Sequence, residues 1–288
     1  MTVRLGAAVD AAQLIAAGFE SVVVATGVTP RTPPIEGVGH AKVLSYVDVL
    51  KRGAAVGARV AVVGAGGVGF DVAEFLAHGG AAGPDGAAAR ADDAPAAWPQ
   101  TADYLEEWGI DPTNERRGGL AAAGAKPGAS AREVFLLQRT RGKLGAGLGK
   151  TTGWIHRANL TKKGVTMIGG VTYERVDDAG LHVSVQKGKG KDAPRERLTL
   201  DVDHVVLCAG QDKLDSLVAP LAAAGVRAFV VGGAERAGEL DAKRAIDQGT
   251  RLAAVIEDAR PGDVFEAPVP LSARFVEAAA SFMTSGRK

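Results

Sequence analysis

The segment Arg59–Val72, RVAVVGAGGVGFDV, constrains this chain more than any other. Four residues of β-branched and small apolar character, Val60–Val63, run into Gly64-x-Gly66-x-x-Gly69, and an Ala/Val/Phe/Leu pattern of helical period follows. The order carries the physics. The first glycine permits a tight turn, the second lets a pyrophosphate approach bare backbone, and the third lets the helix lie close on the strand. The helix start then presents free N–H groups and a partial positive charge to the phosphates. A strand before and a helix after turn a weak glycine pattern into a dinucleotide-binding reading for Gly64, Gly66, Gly67 and Gly69; the bland alternative is a tight strand-to-helix turn.

Other runs repeat the same grammar. SVVVA (21–25), EVFLL (133–137), HVVLC (204–208) and AFVV (228–231) are short and continuously apolar, most of them ending at or near Gly. Such runs read as strands buried on both faces. Helical patterns lie between them at 10–17, 67–77, 151–163, 213–224 and 241–257. Strand alternating with helix predicts an α/β fold with a parallel sheet. Residues 165–200 alternate differently and predict a small antiparallel meander with GKGKD (188–192) at a turn tip. Residues 79–100, rich in Gly, Ala, Pro and Asp, read as a flexible loop that opens a flexible insertion over 79–130, residues 258–270 as a linker, and 272–283 as a short tail helix.

The chain has 288 residues, 34 Lys plus Arg and 33 Asp plus Glu, for a net charge of +1. That balance gives no argument for nucleic acid or an anionic membrane as partner. No apolar run reaches the ~18 residues of a membrane helix, and the N-terminus lacks a signal-peptide pattern; the expectation is a soluble, cytoplasmic protein. Cys208 is the one cysteine. It excludes an intramolecular disulfide and any cluster held by four thiolates of this chain. No metal site is expected.

The nucleotide follows from the next parallel strand. A site for NAD ends that strand in Asp or Glu, whereas here VFLLQ is followed by Arg139, Arg141 and Lys143. Residues 131–163 hold eight Lys/Arg and one Glu. Guanidinium groups there suit a 2′-phosphate, which favours NADP(H) over NAD(H); the bland alternative is a solvated basic loop. VVVATG (22–27), VVLCAGQ (205–211) and VVGGAERAGELDAKRAI (230–246) flank this unit. They suit the flavin side of a two-dinucleotide flavoprotein, with Thr26, Gly27, Gly210, Gly232, Gly233 and a helix opening at Asp241 as contacts.

These runs, with YLEEWGID (104–111), LGKTTGWIHR (148–157) and ELDAKRAIDQGTRLA (239–253), resemble the NADPH-dependent 2,4-dienoyl-CoA reductases of the bacterial type over roughly residues 1–257. Trp154 and His156 fall inside one of them, with packing as the bland reading. The resemblance implies a Rossmann-like NADP-binding domain (51–200) inserted in a partial FAD-binding domain (1–50 and 201–257), with 258–288 as linker and tail. It implies an enzyme passing hydride from NADPH to FAD for reduction of 2,4-dienoyl-CoA in the oxidation of unsaturated fatty acyl chains. It also implies a β/α barrel with FMN, a [4Fe–4S] cluster and the catalytic residues, none of which these residues can encode. Gly64–Gly69 is the one G-x-G-x-x-G here, so the first FAD fingerprint is also absent. The expectation is an electron-input half, cut within its FAD domain, that binds FAD weakly or shares it with a partner chain carrying barrel and fingerprint. Residues 20–27 and 203–210 are then expected to be aggregation-prone or paired with another chain. Where members of that family have Cys-Asp after the late Gly-Gly, this chain has Ala234-Glu235. Two alternatives stay open: an NADP(H)-binding module without chemistry, and another flavin-plus-cluster enzyme such as an enoate reductase or amine dehydrogenase.

Overall fold

The computed structural model describes residues 1–79, 101–186, 188, 190, 193–238, 240 and 242–266. The expectations for the 80–100 insertion, for Asp241 and for the tail helix lie outside them.

In chain order the elements are α1 (Ala11–Ala16), β1 (Ser21–Val24), β2 (Val28–Pro30), β3 (Val43–Ser45), α2 (Tyr46–Leu50), β4 (Arg59–Val63), α3 (Gly67–Ala77), α4 (Thr101–Trp108), β5 (Glu133–Gln138), α5 (Gly153–Lys162), β6 (Thr166–Gly169), β7 (Val171–Asp177), β8 (Gly180–Gln186), β9 (Arg195–Leu200), β10 (His204–Leu207), β11 (Gln211–Lys213), α6 (Val218–Ala223), β12 (Arg227–Val230) and α7 (Ala242–Val255). They form two compact units: residues 30–210, and residues 1–29 with 211–288. One unit is thus inserted in the sequence of the other. The chain belongs to an α/β architecture with parallel sheets.

The 30–210 unit is built in three layers. Its central sheet is parallel, in the order β3-β10-β4-β5-β6. Alternation along β4 sorts its side chains: Val60 and Val62 pack with Phe70, Val72 and Leu76 of α3, and Ala61 and Val63 pack with Leu181, Val183 and Leu200 of the antiparallel sheet β7-β8-β9. Covering both faces is what allows so apolar a parallel sheet. Capping sets the helix starts. Ser45 and Asp48 close a reciprocal capping box at α2, as Asp10 and Gln13 do at α1 of the other unit.

The helix α3 ends where the chain returns from its insertion. Ala131 N–H donates to Ala77 O at 2.9 Å, and the buried Arg132 donates through Nη1 to Leu76 O at 3.0 Å. Helix α4 is held to the C-terminal turn of α5: Lys163 Nζ lies 3.0 Å from Glu107, and Lys162 Nζ sits 3.7 Å above the Trp108 ring.

In the other unit, β1 and β12 pair in parallel. Val24, Ala228 and Leu221 form one small core with Leu14, and Phe229, Val231 and Leu252 form a second with Phe265.

Three expectations need correction. Residues 166–169 do not belong to the meander: β6 pairs in parallel with β5 and forms the sheet's edge, because α5 is the crossover that returns the chain beside β5. Residues 30–50 and 201–210 sit in the central unit rather than with residues 1–29, because β3 and β10 are strands of its sheet. Residues 203–210 do not leave an open strand edge: β10 lies between β3 and β4, and Val205 and Val206 have 0% exposure. Among the described residues β1 pairs with β12 alone, and Val23 is 44% exposed.

Phe70 is the largest side chain between α3 and the sheet, and it is fully buried. Phe70→Ala should cost about 3–5 kcal/mol of stability, read as a lowered midpoint in urea unfolding at unchanged slope.

Candidate dinucleotide site

The glycine turn lies at the carboxyl end of β4. Gly64 has φ +110°, and its N–H donates to Leu137 O at 2.9 Å. A Cβ at Gly64 would stand 2.3 Å from Cys208 O, and one at Gly69 would stand 1.8 Å from Gly64 O. Neither place admits a side chain. Gly66 and Gly67 are the opposite case, since a Cβ there meets nothing within 4 Å. Gly66 caps α3 without any side-chain hydrogen bond. The first amides of α3 therefore lack intrahelical acceptors, and open space lies over the glycine backbone in front of them. Strand order reverses here: α3 carries the chain to β5 on one side of β4, while β10 occupies the other. In open α/β sheets the crevice at such a point takes the ligand. These features fit a dinucleotide pyrophosphate.

The basic run divides. Arg139 follows β5 directly and is exposed. Arg141 is engaged elsewhere, donating to the carbonyls of Gly188 and Gly190. Lys143 is exposed and lines a cavity of about 590 Å³ with Trp154, Arg157 and Lys162. Trp154 is 57% exposed. His156 Nδ1 lies 3.4 Å from Glu74 Oε2, and Asn159 Nδ2 donates to Glu74 Oε1, so His156 and Glu74 join α5 to α3.

The flavin-side candidates divide by unit. Thr26, Gly27, Gly232 and Gly233 come together at the carboxyl ends of β1 and β12. Thr26 Oγ1 donates to Leu214 O, and Leu214 N–H donates to Gly27 O at 3.1 Å. A Cβ on Gly233 would lie 3.2 Å from Gly27 Cα, so the two glycines meet backbone to backbone. Gly210, with φ +102°, belongs to the other unit and accepts from Arg31 N–H at 3.0 Å. Glu235 accepts from Arg244 Nη1 at 3.1 Å.

Several residues of these sites escaped the sequence. Gln248 is buried and accepts the Gly232 N–H through Oε1 at 2.7 Å, and Arg244 donates to Gly232 O at 3.3 Å. Their four-residue spacing on α7 was the available signal. Tyr173 also approaches the glycine turn, and no spacing pointed to it. The thiol of Cys208 is pushed up to about 12 by burial, so at neutral pH it is not a nucleophile. Among the described residues no group of three or more His, Cys, Asp or Glu could hold a metal ion, and no helix is long and apolar enough to cross a membrane.

Residues 5–235 match the family model "Pyridine nucleotide-disulphide oxidoreductase". The chain belongs to this family, whose class is that of flavin-dependent pyridine-nucleotide oxidoreductases. Solved structures agree on the fold. A 2-naphthoyl-CoA reductase is 20% identical with a TM-score of 0.54, over 83% of this chain and 27% of that one. Histamine dehydrogenase from Rhizobium sp. 4-9 is 15% identical with a TM-score of 0.55, over 92% and 36%. The 6-hydroxypseudooxynicotine amine oxidase of Pseudomonas geniculata N1 is 18% identical with a TM-score of 0.55, over 82% and 29%. The chain therefore spans about a third or less of each of these proteins.

Gly69→Ala should unfold the turn, because its methyl has no place, and calorimetry should show a lowered Tm together with lost nucleotide binding. Gly66→Ala has room, so its Tm should stay within the small range of surface substitutions, about 0.5 kcal/mol, while nucleotide binding weakens.

Proposed function

We propose that this chain is the electron-input part of a flavin-dependent reductase of the 2,4-dienoyl-CoA reductase type. The observation that carries the proposal is the Gly64–Gly69 turn, open at Gly66 and Gly67, beside a β5 end that holds Arg139 and no acid. When bound, NADPH supplies a hydride and FAD accepts it. The residues of this chain have supporting tasks. The turn and the α3 amides hold the pyrophosphate, and Arg139 meets the 2′-phosphate with Lys143 nearby in sequence. Thr26–Gly27 and Gly232–Gly233 offer backbone to the flavin nucleotide, on a turn that Gln248 and Arg244 keep in shape.

The family takes its name from disulfide chemistry, which needs a cysteine pair. This chain has only Cys208, buried and protonated. Within these residues, then, no cysteine pair takes the flavin's electrons. The long motifs shared with dienoyl-CoA reductases favour the route through a [4Fe–4S] cluster to FMN and then to the acyl-CoA, all outside these 288 residues, in the same or a partner polypeptide. A second reading, an NADP(H)-binding module without redox chemistry, is favoured by the single G-x-G-x-x-G and by the edge of β1 that no strand among the described residues covers.

NADPH should bind at least about tenfold more tightly than NADH, and Arg139→Ala should weaken NADPH by about one to two decades, as for loss of a charge-assisted hydrogen bond. Titration calorimetry with both nucleotides checks this, and equal affinities would overturn the NADPH assignment. The 288 residues alone should be pale at 450 nm, with FAD bound at about micromolar Kd or weaker, and should not turn over hexadienoyl-CoA. Stoichiometric yellow protein would show that they contain a full FAD site.

A further inference from the structure

The hydroxyl of Tyr173 is the one feature near the glycine turn that neither packing nor the hydrogen bonds among the described residues account for. Tyr173 stands in β7, whose pairing with β8 shifts register between Tyr173 and Arg175. Val171 and Tyr173 share one face of β7 by simple alternation. The ring packs on the sheet face formed by Ala61, Val63 and Leu137. Its Oη is buried, and among the described residues no hydrogen bond of good geometry reaches it. The Gly64 backbone and the Arg139 charge both bear on the phenol, which burial nevertheless holds protonated well above the usual tyrosine range. The Gly64 N–H that bears on the phenol oxygen donates to Leu137 O at 2.9 Å, and it leaves the phenol's own proton without an acceptor among the described residues. A buried proton donor thus waits beneath the first glycine of the turn, on the side of Arg139.

An orphaned hydroxyl is uncommon in a packed interior and calls for a reason. The turn itself offers one. An anion above the turn draws peptide N–H groups toward it, and because a peptide is planar the carbonyl of the same unit then points the other way. Tyr173, whose phenol the Gly64 backbone reaches, is the buried donor at hand for such a carbonyl.

We propose that Tyr173 is a positioning residue for the dinucleotide turn, its hydroxyl donating to a carbonyl of Gly64–Gly66 once a bound pyrophosphate has oriented those peptides. The inference rests on the dinucleotide reading of the turn. It makes Tyr173 act on the part of the ligand that NADPH and NADH share, unlike Arg139.

The test is Tyr173→Phe, which keeps the ring and removes the oxygen. The Tm of the ligand-free chain should stay the same or rise, because a buried unmet donor is gone. The Kd for NADPH and for NADH should both weaken about 5- to 30-fold, as for loss of one hydrogen bond, with their ratio unchanged; Arg139→Ala, by contrast, should change the ratio. Nucleotide affinities within twofold of the unsubstituted chain would overturn the proposal, as would a lowered Tm with unaltered Kd, which marks a plain packing role. If the unsubstituted chain binds neither nucleotide, the dinucleotide reading itself fails, and this proposal with it. Binding by the unsubstituted chain that Tyr173→Phe leaves intact removes only the proposal.

Discussion

The contact on which the site depends is backbone against backbone: the Cys208 carbonyl against the Cα of Gly64. It forms because β10 pairs in parallel with β4, and Cys208 N–H extends the ladder to Val63 O at 2.8 Å. Residues some 140 positions apart thereby share one end of the sheet. With no space for a Cβ, Gly64 turns sharply, its own carbonyl closes on Gly69, and α3 starts at an angle that leaves its first amides free. A methyl at either glycine would displace the helix start, and with it the anion-binding geometry.

The two faces of the sheet make that arrangement rigid. Helices cover one face and a three-stranded antiparallel sheet covers the other, so a parallel sheet only five strands wide is sealed from water across its centre. The antiparallel layer also brings side chains to the carboxyl end of the sheet from a direction that a simple strand–helix–strand unit lacks. Tyr173 arrives by that route.

Much of this was legible in the sequence, and the reason lies in particular residues. RVAVV, EVFLL and HVVLC are unambiguous because strands buried on both faces need uninterrupted apolar runs. The turn was legible because it needs glycine at three fixed places. What stayed hidden depends on pairing across long separations. VLS (43–45) is too short to read as a strand until β10 offers an edge, and VTMIGG looks like part of the meander until α5 returns it beside β5. The division between units follows the sheet to which β3 and β10 belong, which no local pattern records. The basic run announced a locality and not a partner for each side chain: Arg141 turned to the Gly188 and Gly190 carbonyls, whereas Arg139 stayed at the strand end. Tyr173 was unreadable because nothing in its own strand records which part of the parallel sheet that strand covers.

The closure at the end of α3 carries a consequence for the lineage of such chains. The helix's last carbonyls are capped by Ala131 and Arg132, the residues that return from the long excursion between α3 and β5. Departure and return are thus stapled side by side, at the end of the sheet opposite the nucleotide turn. Closing a longer loop costs only about 0.6 kcal/mol per doubling of its length. The excursion's length is accordingly a nearly free variable: related chains can lengthen, shorten or exchange it while the staple keeps β5 in register and the glycine turn undisturbed.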